Sequence, residues 1–101
     1  MKHGLPDQTV ETIGSVFVTF PEVERAVLYG SRAKGNYKPG SDIDLTLFGA
    51  NLTQSLCATI ADALDDLLLP YSIDLSVFAE LKHPELQAHI ERVGVVFYQR
   101  P

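Results

Sequence analysis

The stretch Arg25-Ala26-Val27-Leu28-Tyr29-Gly30-Ser31-Arg32-Ala33-Lys34-Gly35-Asn36-Tyr37-Lys38-Pro39-Gly40-Ser41-Asp42-Ile43-Asp44-Leu45-Thr46-Leu47-Phe48 decides how this chain is read. The run Arg25 to Tyr29 carries apolar residues on both phases, which predicts a strand buried on both faces and therefore central in a sheet. Gly30-Ser31 ends that strand in a tight turn or short helix. From about Asp42 to Phe48 a second strand alternates, with Ile43, Leu45 and Leu47 on one face and Asp42, Asp44 and Thr46 on the other.

Outward from this core the same two periodicities recur. Upstream, Asp7 is expected to cap a helix carrying Val10, Ile13 and Phe17, stopped at Phe20-Pro21. Downstream, a helix from Asn51 carries Leu56, Ile60, Leu64 and Leu67 along one side and ends at Leu69-Pro70. A third strand, Ser72 to Val77, sets Ile73, Leu75 and Val77 against Asp74 and Ser76. Pro84 suits the first turn of a last helix with Leu86, Ile90 and Val93 inward, and Gly94 releases it into a closing strand, Val95 to Tyr98. This order predicts an α/β (α+β) fold: a small mixed sheet of about four strands, with helices packed on one face and the other partly open.

Composition narrows the function. The chain has 101 residues, 13 acidic against 8 basic, a formal charge of -5 and one cysteine. One domain over residues 1–101 is expected, with room for a single core. The acidity argues against a generic phosphate-backbone binder, so direct nucleic-acid binding is not expected. Cys57 alone excludes an internal disulfide and a cysteine zinc cluster, and it lies beside an apolar helix stripe. No apolar run reaches the ~18 residues of a membrane span, and no apolar signal segment follows Met1-Lys2-His3-Gly4, so no membrane association and a cytoplasmic location are expected. His3, His83 and His89 have no partner at ligand spacing; His83 lies near a helix start. Asp62, Asp65 and Asp66 are the wet side of a helix. Phe48, Phe78 and Leu81 are apolar positions available to a partner interface.

The chemical signal is the carboxylate set. Asp42 and Asp44 share one strand face, and Asp74 lies on the polar phase of another strand. A lone Asp-x-Asp is most often a solvated strand end. Three carboxylates on one face repel one another, and a hard divalent cation resolves the conflict; magnesium favours such a set when phosphate oxygens and water complete its shell. At the turn, Gly30 permits close approach of phosphate and Ser31 adds a hydroxyl donor. Arg32 and Lys34, with Lys38, place positive charge beside it, and Ser41 precedes the carboxylate pair; Gly30, Ser31, Arg32, Lys34 and Ser41 are the expected phosphate-binding residues. No Walker loop and no Gly-x-Gly-x-x-Gly is present. Tyr29 and Tyr37 flank the turn, where a ring can stack on a base, although core packing accounts better for Tyr29.

Gly30-Ser31, a ten-residue spacer and Asp42-Ile43-Asp44 resemble the signature of the DNA polymerase beta-like nucleotidyltransferases. The run Leu28 to Gly35 and the ending Gly94-Val95-Val96-Phe97-Tyr98 are similar to the minimal nucleotidyltransferase (MNT) domains, over about Leu5 to Tyr98. The resemblance implies a polymerase beta palm-like fold and a magnesium-dependent enzyme, with two ions held by Asp42, Asp44 and Asp74 and a triphosphate held at Gly30 and Ser31. It further implies an antitoxin that moves AMP from ATP to a tyrosine of a HEPN-domain ribonuclease toxin, in a hetero-oligomer. Two other readings stay open: neutralisation by binding and occlusion alone, and transfer to a small molecule or an RNA end. The short length favours an acceptor supplied by a second chain.

Overall fold

The structure, a computed structural model, describes residues 2–101. Its elements are α1 (Asp7–Val18), β1 (Arg25–Tyr29), the single-turn α2 (Ser31–Lys34), β2 (Ile43–Phe48), α3 (Gln54–Asp65), β3 (Ile73–Val77), α4 (Pro84–Val93) and β4 (Val95–Gln99). A single 3-10 turn, Phe78–Glu80, follows β3. The expected order of elements is therefore present.

The four strands form one sheet in the order β3-β2-β1-β4. β1 pairs antiparallel with both β2 and β4, whereas β2 and β3 run parallel. β1 is thus an inner strand, which explains its apolar residues on both phases. Ala26 and Leu28 of β1 and Ile43, Leu45 and Leu47 of β2 are fully buried against Ile13 and Phe17 of α1 and Ile60 and Leu64 of α3. This first face is the main core.

The second face is less bare than expected. Val27 and Tyr29 are buried with Ile90 of α4, and Phe48, Phe78, Leu81 and Leu86 pack around them. Helices on one face therefore describes α1 and α3, while α4 closes part of the opposite face and leaves the carboxylate end open. Phe48, Phe78 and Leu81, expected to be available to a partner, are half-buried in this layer. Phe48 and Phe78 stack on each other at 4.6 Å, with the Arg25 guanidinium 4.3 Å from the Phe48 ring centroid. Stacking covers part of each ring.

Helix ends also differ in detail. Pro6, not Asp7, occupies the N-cap of α1, and Asp7 is the first helical residue, where the helix dipole favours a carboxylate. α3 begins later than Asn51, at the cap Thr53, whose side chain accepts from the Leu56 N–H at 3.1 Å. It ends at Asp65, before Leu67, and Leu68 takes a positive φ of 55°. His83 does start α4: its Nδ1 accepts from the Leu86 N–H at 3.0 Å, and Pro84 takes the first helical position. Cys57 is buried, as its helix stripe requires.

Candidate active site

The site lies where β1 ends and β2 and β3 begin. Parallel pairing of β2 with β3 sets Asp44 opposite Asp74, and antiparallel pairing of β1 with β2 sets Tyr29 opposite Asp44. Opposite residues in a sheet share a face, so Asp44, Asp74 and Tyr29 form a row across three strands. Asp42 precedes β2 by one residue and is exposed, as is Asp74, while Asp44 is half-buried. The row is on the face that α1 and α3 do not cover.

Electrostatics tie the three carboxylates together. Asp44 holds its proton more tightly than an ordinary carboxyl, first because of burial and then because of the negative charges of Asp74 and Asp42. Tyr29 is also shifted upward, by burial, against the lowering effect of its hydrogen bond with Ser76, with Asp74 and Asp44 adding to the rise. Beneath the row, Ser76 Oγ donates to Thr46 Oγ1 at 2.9 Å, and Thr46 is fully buried. Tyr29, Ser76 and Thr46 thus form a chain of hydroxyls under the carboxylates, a floor not foreseen from the sequence. Its signal was there in the Asp74-x-Ser76 and Asp44-x-Thr46 alternation, which keeps each hydroxyl on its carboxylate's face.

Gly30 supplies the other wall. It caps α2 with φ 77° and ψ -155°, and a Cβ there would collide with Asp44 Oδ2. The carboxylate therefore occupies the space that the missing side chain leaves. Ser31 opens α2, whose first N–H groups have no intrahelical acceptor. Lys34 is exposed at the end of that turn. Gly30 and Ser31 therefore sit beside Asp44, which is level with Asp74.

Arg32 is turned away from the turn, and Ser41 is half-buried in the loop before Asp42. The Arg32 side chain is 2% exposed and is spent on the carbonyls of Ser41 and His3. It is buried, and each of its three nitrogens donates to a backbone carbonyl, which draws it away from a ligand. The Ser41 hydroxyl accepts from the Lys38 N–H at 2.8 Å, closing the loop that precedes Asp42. Tyr37 packs beside Arg32, at 5.3 Å from the guanidinium to the ring centroid.

The donor chemistry fits a hard divalent cation. It is all oxygen, it is open to solvent, and the crowding that raises the Asp44 pKa is relieved by positive charge. Among the described residues no three His, Cys, Asp or Glu side chains form a ready metal cage. Such an open set suits an ion whose shell is completed by triphosphate oxygens and water.

A mixed four-stranded sheet with this helix arrangement is the nucleotidyltransferase fold. The model of the family described as polymerase beta, nucleotidyltransferase matches residues 11–101, and the chain belongs to that family. None of the curated proteins matches it. Among solved structures, a chain of a toxin–antitoxin complex with AMP-PNP is similar at a TM-score of 0.72 and 20% identity, covering 95% of this chain and 75% of that one. A chain of the MntA-HepT toxin–antitoxin complex gives a TM-score of 0.70 at 18% identity, with 94% and 74% covered. A third, from the complex of tri-AMPylated Shewanella oneidensis HEPN toxin with MNT antitoxin, gives 0.68 at 18%, with 92% and 71% covered. At these identities the likeness is one of fold. No helix among the described residues is long and apolar enough to cross a membrane.

Proposed function

We propose that this chain is a magnesium-dependent adenylyltransferase acting as the antitoxin of a HEPN/MNT pair, moving AMP from ATP to a tyrosine hydroxyl of its partner ribonuclease. The observation that carries the reading is the seat of Asp44: pressed against Gly30 on one side, level with Asp74 on the other. That arrangement sets a carboxylate pair directly beside a turn able to receive phosphate. The AMP-PNP in one structural relative and the tri-AMPylated toxin in another support the choice of nucleotide and acceptor.

In this reading the Gly30–Ser31 turn binds the triphosphate through backbone N–H groups and the Ser31 hydroxyl, with Lys34 screening its charge. The acceptor oxygen attacks the α-phosphorus and forms the new O–P bond. The bond from that phosphorus to the α,β-bridging oxygen breaks, and pyrophosphate leaves. Asp74, the exposed carboxylate beside Asp44, takes the hydroxyl proton. Magnesium held by Asp42, Asp44 and Asp74 would supply Lewis acidity, lowering the hydroxyl pKa and neutralising charge on the triphosphate. Tyr29, Ser76 and Thr46 form a hydrogen-bonded layer on the same sheet face.

Incubation with labelled ATP, magnesium and the partner ribonuclease tests the reading. The wild type should label the ribonuclease, and an Asp42→Ala/Asp44→Ala variant should leave it unlabelled while remaining folded. Labelling by that variant at the wild-type rate sinks the assignment. Neutralisation of the ribonuclease by the unlabelling variant, at wild-type potency, would instead establish occlusion as the mode of action.

A further inference from the structure

Arg32 directly follows the residue that opens α2, yet its side chain turns inward. Nε and Nη2 both donate to the Ser41 carbonyl, at 3.0 and 2.8 Å, and Nη1 donates to the His3 carbonyl at 2.9 Å. The guanidinium carbon stands 5.3 Å from the Tyr37 ring centroid and 5.2 Å from that of Tyr71. Placing a cation at such depth is costly, and two carbonyls and two ring faces offset the cost only in this geometry. An apolar residue would fill the same space without that demand. What the guanidinium adds is a fixed relation among segments that are distant in sequence.

Those segments frame the site. Ser41 is the residue before Asp42. Tyr71 is the residue before Ser72, whose carbonyl accepts from the Ile43 N–H at 2.9 Å and so ties the start of β2 to the start of β3. Gly4, at φ 76°, lies under Tyr37 so closely that a Cβ would collide with the ring, and Leu5 anchors this end of the chain in the core. We propose that Arg32 is a positioning residue that holds the Asp42 backbone at a fixed distance from the Gly30–Ser31 turn. The proposal rests on the nucleotidyltransferase reading above and goes beyond it. A triphosphate gripped at the turn and a cation gripped at Asp42 must act on one molecule, so their separation has to be constant. Misplacement by about 1 Å can cost ~100-fold in rate. A cleft of about 430 Å³ bordered by Arg32, Tyr37, Lys38 and Tyr71 leaves the loop room to move once the clamp is cut.

Arg32→Lys keeps the charge and loses the fork, which separates positioning from phosphate binding. Three measurements apply to this variant and the wild type: steady-state AMP transfer to the ribonuclease, binding of manganese alone followed by the resonance of the free aquo ion, and amide exchange over residues 39–43. Positioning predicts kcat down about 10–100-fold, manganese binding weaker by a similar factor, and faster exchange at the Ser41 and Ile43 amides. KM for ATP should stay within about threefold. A raised KM with manganese affinity and exchange unchanged would make Arg32 a phosphate ligand and overturn the proposal. If Arg32→Lys does not fold, Tyr37→Leu decides, since it removes one ring face and leaves the hydrogen bonds. Faster exchange with weaker manganese binding supports the clamp, and unchanged values overturn it. A wild type that neither transfers AMP nor binds manganese overturns the enzymatic reading itself, whereas an active wild type with an indifferent Arg32→Lys overturns only the clamp.

Discussion

Replacing Gly30 with alanine probes the contact on which the site is built. The residue has φ 77° and ψ -155°, a region that is essentially closed to side chains, and holding alanine there costs about 1–3 kcal/mol. A second cost is steric. The new Cβ would collide with Asp44 Oδ2 and stand 3.3 Å from Cγ, so the carboxylate has to leave its rotamer, for about 0.5–1.5 kcal/mol more. The sum, about 1.5–4.5 kcal/mol, is a large share of the ~5–15 kcal/mol expected for a domain of this size. The two costs separate in a double-mutant cycle, because Asp44→Ala removes the colliding atoms and keeps only the Asp44 Cβ, 3.6 Å from the new methyl. In that background the backbone cost should persist and the steric cost should vanish, a coupling of about 0.5–1.5 kcal/mol. Urea unfolding of the four proteins, followed by far-ultraviolet circular dichroism because the chain has no tryptophan, measures it. Equal costs in the two backgrounds, within about 0.3 kcal/mol, would refute the packing of Asp44 against Gly30.

Three further outcomes are expected. Asp44 binds its proton more tightly folded than unfolded, so its ionisation weakens the fold as pH rises from its ordinary 3.8 through the raised folded value. Asp44→Asn should therefore raise the metal-free Tm at neutral pH and lose that advantage in acid; thermal melts across pH check this, and a gain independent of pH contradicts it. Thr53→Ala removes the cap on α3 and should cost about 0.5–2 kcal/mol in urea, whereas Thr53→Ser should recover most of it. The Cys57 thiol is pushed up by burial, with Glu80 adding to the rise, so a thiol reagent should label it at neutral pH far more slowly than in urea. Equal labelling rates would contradict its burial.

Much of the site was legible because strand periodicity assigns faces. Asp42 and Asp44 at i and i+2, and Asp74 out of phase with Ile73 and Leu75, had to share a surface once their strands joined one sheet. What local pattern does not carry is which residue meets which. The level pairing of Asp44 with Asp74, and of Tyr29 with Asp44, follows from the register of two different strand pairs. The helix ends shifted for a related reason: Asn51 and Leu67 obey the helical period, but Thr53 offers the cap and the chain leaves the helix after Asp65.

Arg32 draws the line most sharply. Its position between Ser31 and Lys34 in a polar turn makes it look like a phosphate ligand, since sequence neighbours are all that a linear reading supplies. Its actual partners, His3, Tyr37, Ser41 and Tyr71, come from three separate stretches. By itself the sequence determined the strand and helix order, the inner place of β1 and the face that bears the carboxylates, because these follow from short-range periodicity and burial. Only the tertiary structure decided that α4 covers part of the second face, that Asp44 fills the space left by Gly30, and that Arg32 is bound inward. Each of these depends on long-range contacts whose partners local periodicity does not specify.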